Sequence, residues 1–172
     1  LGISSEPPEP VHELVMLPCA RLERSVITQP RHPLLREKRL TLKAIAAYPI
    51  ITLDQSYVGG SAVLRAFESA RVKPNIVLSA IDADVIKSYV ELGLGIAILP
   101  ALAYEPMRDR KLRAMDASAL FEPTITRIEI RRGSFLRDYM YDFIVRVAPR
   151  WDRRTIEKMM RAGTRVSGSM RS

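Results

Sequence analysis

Ser79–Pro100 reads SAIDADVIKSYVELGLGIAILP. The run opens as a short strand, then places Val85, Ile86, Tyr89 and Val90 on one helical face, breaks at two glycines and closes as a second apolar strand. Asp82 is positioned to cap the start of the helix and Gly93 to end it. Gly93–Leu94–Gly95 follows a helix and precedes a strand, the reverse of a dinucleotide-binding fingerprint, so its role is a helix stop and close packing. Asp82 and Asp84 suit the positive end of the helix dipole and would repel an anion. This helix start is therefore not an anion site by itself, although Ser79 beside it can edge a ligand cleft.

The pattern continues on both sides. ELVMLPC (13–19) reads as a strand ended by its proline, and RSVITQP (24–30) as another strand followed by the turn-rich RHPLLREKR. Thr41 caps a short helix, LKAIAA, and YPIITL (48–53) is a buried strand. DQSYVGGS (54–61) is a loop. SAVLRAFESARV (61–72) is an amphipathic helix that turns Val63, Leu64, Phe67 and Ala70 inward. PNIVLSA (74–80) leads into the opening unit, and LAYEPMRD (102–109) is a short helix and turn. TRIEIRR (126–132) alternates as a half-buried strand. Ser134 caps a long helix whose core stripe is Phe135, Met140, Phe143 and Val147, flanked by Tyr139 and Tyr141. A last helix spans residues 152–162, PPEP (7–10) is a stiff connector, and residues 163–172 fray. Strands alternating with helices imply an α/β fold with a mostly parallel sheet, in which ligands bind beyond the strand C-terminal ends. The loops after YPIITL and NIVLSA should then share one rim, so Ser79 faces the same edge as Gly59 and Gly60.

The 172 residues are 47% hydrophobic, enough for a core in one domain or two small lobes. No apolar run reaches the roughly 20 residues that span a bilayer, and LGISSEPPEP has neither the basic region nor the apolar core of a signal peptide. A chain beginning with Leu reads as a fragment or an excised domain. A single cysteine, Cys19, excludes an internal disulfide, fits a reducing compartment and reads as a buried, inert thiol. Residues 131–172 carry 11 of the 27 basic side chains and 4 of the 19 acidic ones, a net +7 against +1 for the rest. No aromatic side chains interleave with the tail arginines, so a solvated amphipathic end is favoured over a nucleic-acid surface.

Candidate chemistry is sparse. YVGGS (57–61) precedes a helix, and its glycines either bring backbone N–H groups to a small anion or simply make the turn. It lacks the Lys-Ser/Thr pair of a phosphate loop. His12 and His32 have no serine or carboxylate at suggestive spacing, and no ligand set for a metal is present. Asp82 and Asp84 could pair as acid and base, but capping accounts for them.

At ELVMLPC, ITQPRHPL, AIAAYPIIT, DADVIKSYVELGLGIAILP and GSFLRDYMYDFIVRVAP the chain resembles the effector-binding domain of LysR-type transcriptional regulators, in its CysB-like branch. The HPL loop and the V-x-x-G-L-G-I-A-x-L-P run are common to the family at large, whereas DADVIK-x-YV and FLR-x-YMYDFI-x-R-x-AP mark the branch. The resemblance implies a periplasmic-binding-protein-like (type 2) α/β fold, with one complete subdomain and part of the other. Residues 1–18 would be the end of subdomain I and a crossover strand, and 19–123 subdomain II. Residues 124–149 would be the returning strand and helix, and 150–172 a basic helix and tail. A helix-turn-helix reader and most of subdomain I are expected upstream, leaving apolar surface exposed on the returning helix.

The resemblance further implies a cytoplasmic sensor of sulfur metabolism, tetrameric in its full-length form, with no catalytic residues, cofactor or metal. Its effector is a small anion such as sulfate, thiosulfate, acetylserine or adenylyl sulfate, held in a cleft between the subdomains. DNA would be contacted only through the absent reader. The family's threonine at the end of a subdomain I strand falls on Ser5, its pocket threonine on Val58 and its nearby arginine on Gly60. The candidate effector contacts are Ser5, Tyr57, Val58, Gly59, Gly60 and Ser79. The alternatives are a periplasmic-type solute-binding protein for a small anion and an enzyme using Asp82 and Asp84.

Overall fold

In chain order the strands are β1 (Gly2–Ser5), β2 (Leu14–Leu22), β3 (Arg24–Thr28), β4 (Ile50–Leu53), β5 (Ile76–Ala80), β6 (Ile96–Pro100), β7 (Arg113–Asp116) and β8 (Thr124–Arg131). The helices are α1 (Leu42–Ala46), α2 (Val58–Ser69), α3 (Ala83–Glu91), α4 (Asp138–Val147) and α5 (Arg153–Ala162). These come from a computed structural model that describes residues 1–5, 11–54, 56 and 58–162. The readings of PPEP, Tyr57 and the frayed tail lie outside the described residues. The chain forms two compact units, Leu22–Thr124 and Leu1–Arg21 with Ile125–Ser172.

The first unit is built on a sheet of order β5-β4-β6-β3-β7. Residues alternate between its faces as the pleat requires. Val26, Ile50 and Ile98 pack with Val63 and Phe67 of α2 and Ile45 of α1 on one side. Ile27, Ile51, Ala97 and Leu99 pack with Ile86 and Val90 of α3 on the other. With both faces covered, the strands read as continuous apolar runs. The sheet is mixed rather than mostly parallel: β4 runs parallel to β5 and β6, whereas β3 runs antiparallel to β6 and β7. The short strand β7, RAMD, lacked any apolar alternation and went unread in the sequence.

The opening stretch folds as read, with one exception. Asp82 Oδ1 accepts the backbone N–H groups of Asp84 (2.8 Å) and Val85 (3.0 Å). Gly93 adopts φ +80°, Gly93 N–H donates to Val90 O and Leu94 N–H to Tyr89 O, the hydrogen-bond pair of a Schellman stop. A Cβ on Gly95 would sit 2.4 Å from the Pro49 carbonyl oxygen, so this position needs close approach. The exception is the buried face. Val85 is exposed, and Lys87 is buried beside Ile86 and Val90. Its Nζ donates to Ala103 O (2.9 Å) and Asp109 Oδ1 (3.0 Å) and pairs with Asp84 Oδ1 (2.8 Å). Burial pushes the ammonium pKa down, but the bonds to Asp84 and Asp109 push it up further, leaving it above the ordinary lysine value.

In the second unit the sheet order is β1-β8-β2, with β1 antiparallel to β8. Val15, Leu17, Ile128 and Ile130 pack with Leu136, Ile144 and Ala148 around α4 and Ile156 of α5. Two expectations shift here. Strand β2 runs through Pro18, which an edge strand tolerates, and the Pro18 carbonyl accepts the Trp151 indole N–H (2.8 Å) and the Arg150 Nε–H (3.0 Å). Helix α4 starts at Asp138, and the Ser134 hydroxyl turns back to Arg131 O instead of capping it. The buried stripe is therefore Leu136, half-buried Met140, Ile144 and Ala148, while Phe135, Phe143 and Val147 are exposed. Both stripes have helical spacing, and packing on β8 and β2 selects between them. Among the described residues no helix is long and apolar enough to cross a membrane.

Candidate functional site

Helix α2 begins at Val58, so Val58 and Gly59 occupy its first turn, where backbone N–H groups lack intrahelical acceptors. The glycines read as part of a loop are thus helical. Glycine is a poor helix residue, and two different steric demands account for the pair. A Cβ on Gly60 would stand 2.3 Å from the Asp54 carbonyl oxygen and 2.5 Å from that of Leu53, so the helix start leans directly on loop backbone. A Cβ on Gly59 would stand 2.9 Å from Nη2 and 3.5 Å from Nη1 of Arg24.

Arg24 is the residue that sequence reasoning missed. Its one signal was position, an arginine flush against the apolar run SVIT. All five residues of β3 are buried, and Arg24 goes in with them at 1% exposure. Nη2 donates to Thr124 Oγ1 at 2.5 Å, and Nε has no acceptor among the described residues. Burial lowers its pKa, yet a guanidinium remains charged at neutral pH. This cation therefore lies under the positive end of α2.

The remaining candidates are placed as follows. Ser79 is exposed on β5 opposite Thr52, and its hydroxyl donates to Asp54 Oδ2 at 3.4 Å. Asp54 Oδ1 accepts the Ser56 backbone N–H (2.9 Å) and hydroxyl (2.7 Å). Those bonds, with Ser79, hold the Asp54 carboxyl below the usual carboxylate range, so it is ionised at neutral pH. Thr52 is 2% exposed, and its Oγ1 has no partner among the described residues. Val58, Gly59, Gly60 and Ser79 thus share the rim beyond β4 and β5. Ser5 ends β1 in the other unit, paired with Thr126, and Tyr57 lies outside the described residues.

Chemically, the α2 start offers first-turn N–H groups without intrahelical acceptors and a nearby cation, bounded by one carboxylate. The groups weighed for catalysis have structural partners instead. His32 Nδ1 accepts the Leu34 N–H (3.3 Å), and its ring meets Tyr48 edge-on at 4.5 Å. Asp82 caps α3 and Asp84 pairs with Lys87. Cys19, read as a buried inert thiol, is half-buried, with its Sγ 3.0 Å from Thr126 Oγ1. A hollow of about 330 Å³ in the second unit is lined by Leu136, Tyr141, Arg153, Glu157 and Met160 among others. Its Arg153 is already engaged by Asp138, Glu157 and the Tyr141 ring.

Residues 1–152 match the family model described as the LysR substrate binding domain. The chain is 45% identical to the HTH-type transcriptional regulator SsuR of Burkholderia cenocepacia over 161 residues, 94% of this chain and 52% of that protein. It is 43% identical to the HTH-type transcriptional regulator CysB of Haemophilus influenzae, over 94% of this chain and 50% of that protein. The chain thus spans about half the length of these relatives. Its fold matches the crystal structure of the cofactor-binding domain of the Cbl transcriptional regulator with a TM-score of 0.85 at 33% identity, covering 92% of this chain and 70% of the other.

Proposed function

The chain belongs to the LysR substrate-binding domain family, and on that premise we propose that it is the effector-sensing part of a LysR-type regulator of sulfur assimilation, taking a small oxyanion as its signal. The observation that carries this reading is the start of α2, whose first turn holds Val58 and Gly59 and where Gly59 lies against the buried charge of Arg24. Backbone N–H groups at a helix start, aided by the dipole, suit sulfate, thiosulfate or the carboxylate of acetylserine. Gly59 lets the backbone come close, Gly60 fixes the angle of the helix on the loop, and Ser79 edges the rim. Ser5 and Tyr57 complete the proposed contact set. Regulators resembling this chain in sequence, CysB and SsuR, support a sulfur metabolite over other anions.

In this reading residues 19–123 are the family's subdomain II. Residues 1–18 and 124–149 belong to subdomain I, and 150–172 form a basic end. The effector acts by population shift: it binds one arrangement of the full-length tetramer more tightly and so changes how the helix-turn-helix readers meet promoter DNA in the cytoplasm. No step of this mechanism needs turnover, a cofactor or a metal. Calorimetric titration of the full-length regulator with sulfate, thiosulfate and N-acetylserine tests it. Saturable binding of at least one is expected, and absence of binding by all of them overturns the ligand class.

A further inference from the structure

Arg24 carries an unusual burden for a side chain with no established role. It is 1% exposed, and among the described residues its Nε has no acceptor and its side chain makes one hydrogen bond, from Nη2 to the neutral Thr124 hydroxyl. Buried cations are ordinarily paired with a carboxylate, because desolvation is costly unless an opposite charge offsets it. Here the guanidinium instead abuts the start of α2, whose end carries the same sign of partial charge. Thr52 adds a second orphan. In the sheet register Thr52 and Val26 both sit opposite Ile98. Thr52 therefore shares the α2-facing side with Val26 and, two residues along β3, with Arg24. Two buried polar groups without partners among the described residues thus face the helix, whose first-turn N–H groups have no intrahelical acceptor.

An anion at the helix start would offset the buried charge and meet the first-turn N–H groups together. We infer that Arg24 is the fixed counter-charge of the effector site and positions the anion over the first turn of α2, an inference that rests on the effector reading above. Its charge acts from beneath the helix start, where low local dielectric makes it count for more than a surface lysine would. Gly59 is glycine because a methyl group there would press on Nη2. The family's arginine at the position of Gly60 is thereby replaced from another element: the cation comes up from β3 rather than out from α2. Held beneath the helix start, the guanidinium acts through its charge, while the first-turn N–H groups of α2 meet the oxygens of sulfate, sulfonate or carboxylate.

A purely structural arginine and an effector counter-charge behave differently when removed. Arg24→Met keeps the aliphatic volume and deletes the charge, so the unliganded protein should melt at the same temperature or higher. The rise in melting temperature that sulfate gives the full-length wild type should be lost, and sulfate affinity by calorimetry should fall roughly tenfold or more. Arg24→Lys should fall in between, and Gly59→Ala should weaken sulfate binding without abolishing folding. If Arg24→Met does not fold, Thr124→Val, which only unties Nη2, replaces it and should weaken sulfate binding severalfold. Sulfate affinity equal to wild type in the folded Arg24 variant, or in Thr124→Val where that stands in, overturns the inference and leaves the effector reading intact. Absence of sulfate binding by the wild type itself overturns the sulfate reading and the role of Arg24 together.

Discussion

Lys87 shows how a single residue settles the phase of a helix. Its ammonium, bound to Asp109 and the Ala103 carbonyl, turns α3 so that Val85 faces water. Removing one partner of a buried pair strands the other, so Lys87→Met should destabilise the protein by about 3 kcal/mol in urea unfolding. Adding Asp109→Leu should recover part of that loss, because it removes the stranded carboxylate. Val58 makes the matching case at the rim. Where the resembling family carries a threonine this chain has an apolar side chain, so Val58→Thr should add a donor to an oxyanion. A hydrogen bond to a charged group contributes on the order of 1.5–3 kcal/mol, which calorimetry would read as about a tenfold or greater gain in sulfate affinity. Unchanged affinity would place the bound anion away from residue 58.

Among the elements, α2 joins the two demands placed on the site. Its N-terminal turn is glycine-rich for contact with Arg24 and with the loop backbone. Its C-terminal end closes with Arg71 at φ 55°, where Arg71 N–H donates to Glu68 O and Val72 N–H to Phe67 O. That left-handed position suits glycine. Arg71→Gly should therefore stabilise the fold by about 0.5–1 kcal/mol, seen as a higher urea midpoint at constant slope, with sulfate affinity unchanged because the change lies at the far end of the helix. Helix α4 is a contrasting element. It buries Ile144 on its sheet and leaves Tyr139, Phe143 and Val147 exposed, so it is amphipathic with an apolar flank left over.

For the whole molecule the question is what the charge of +8 does. The excess is concentrated after residue 131, and within the described residues Arg153 and Arg161 pair with Glu157 while Arg150 binds the Pro18 carbonyl and lies over the Trp151 ring. No Asn, Gln and Arg side chains are grouped there in the manner of a major-groove reading helix. This chain alone should therefore bind DNA only by counterion release, with an affinity that falls steeply between low and near-physiological salt. A gel-shift comparison of a sulfur-gene promoter with scrambled DNA should show no preference at either salt. A promoter preference that survives the higher salt would make the basic end a reader.

Much of this protein was legible in its residues because the deciding interactions are local. Asp82, Thr41 and Gly93 each meet partners within a few positions, so their caps and stop could be read directly. The apolar runs of β4 and β6 announced buried strands, and the DADVIK and FLR-x-YMYDFI patterns pointed to the family. Periodicity, however, states how far apart apolar residues lie and not which stripe faces the core. That choice in α4 between Phe143 and Ile144, and in α3 between Val85 and Lys87, depended on what β8 and Asp109 present from elsewhere in the chain. The antiparallel β7, too weakly apolar to stand out, exists through its pairing with β3. Arg24 is the sharpest instance: its hydrogen-bond partner Thr124 is 100 positions away, and its approach to Gly59 arises only when β3 and α2 pack on one sheet. Local chemistry thus determined the elements and their ends, while the charge beneath the helix start was decided by tertiary packing, since only folding brings groups so distant in sequence within ångströms.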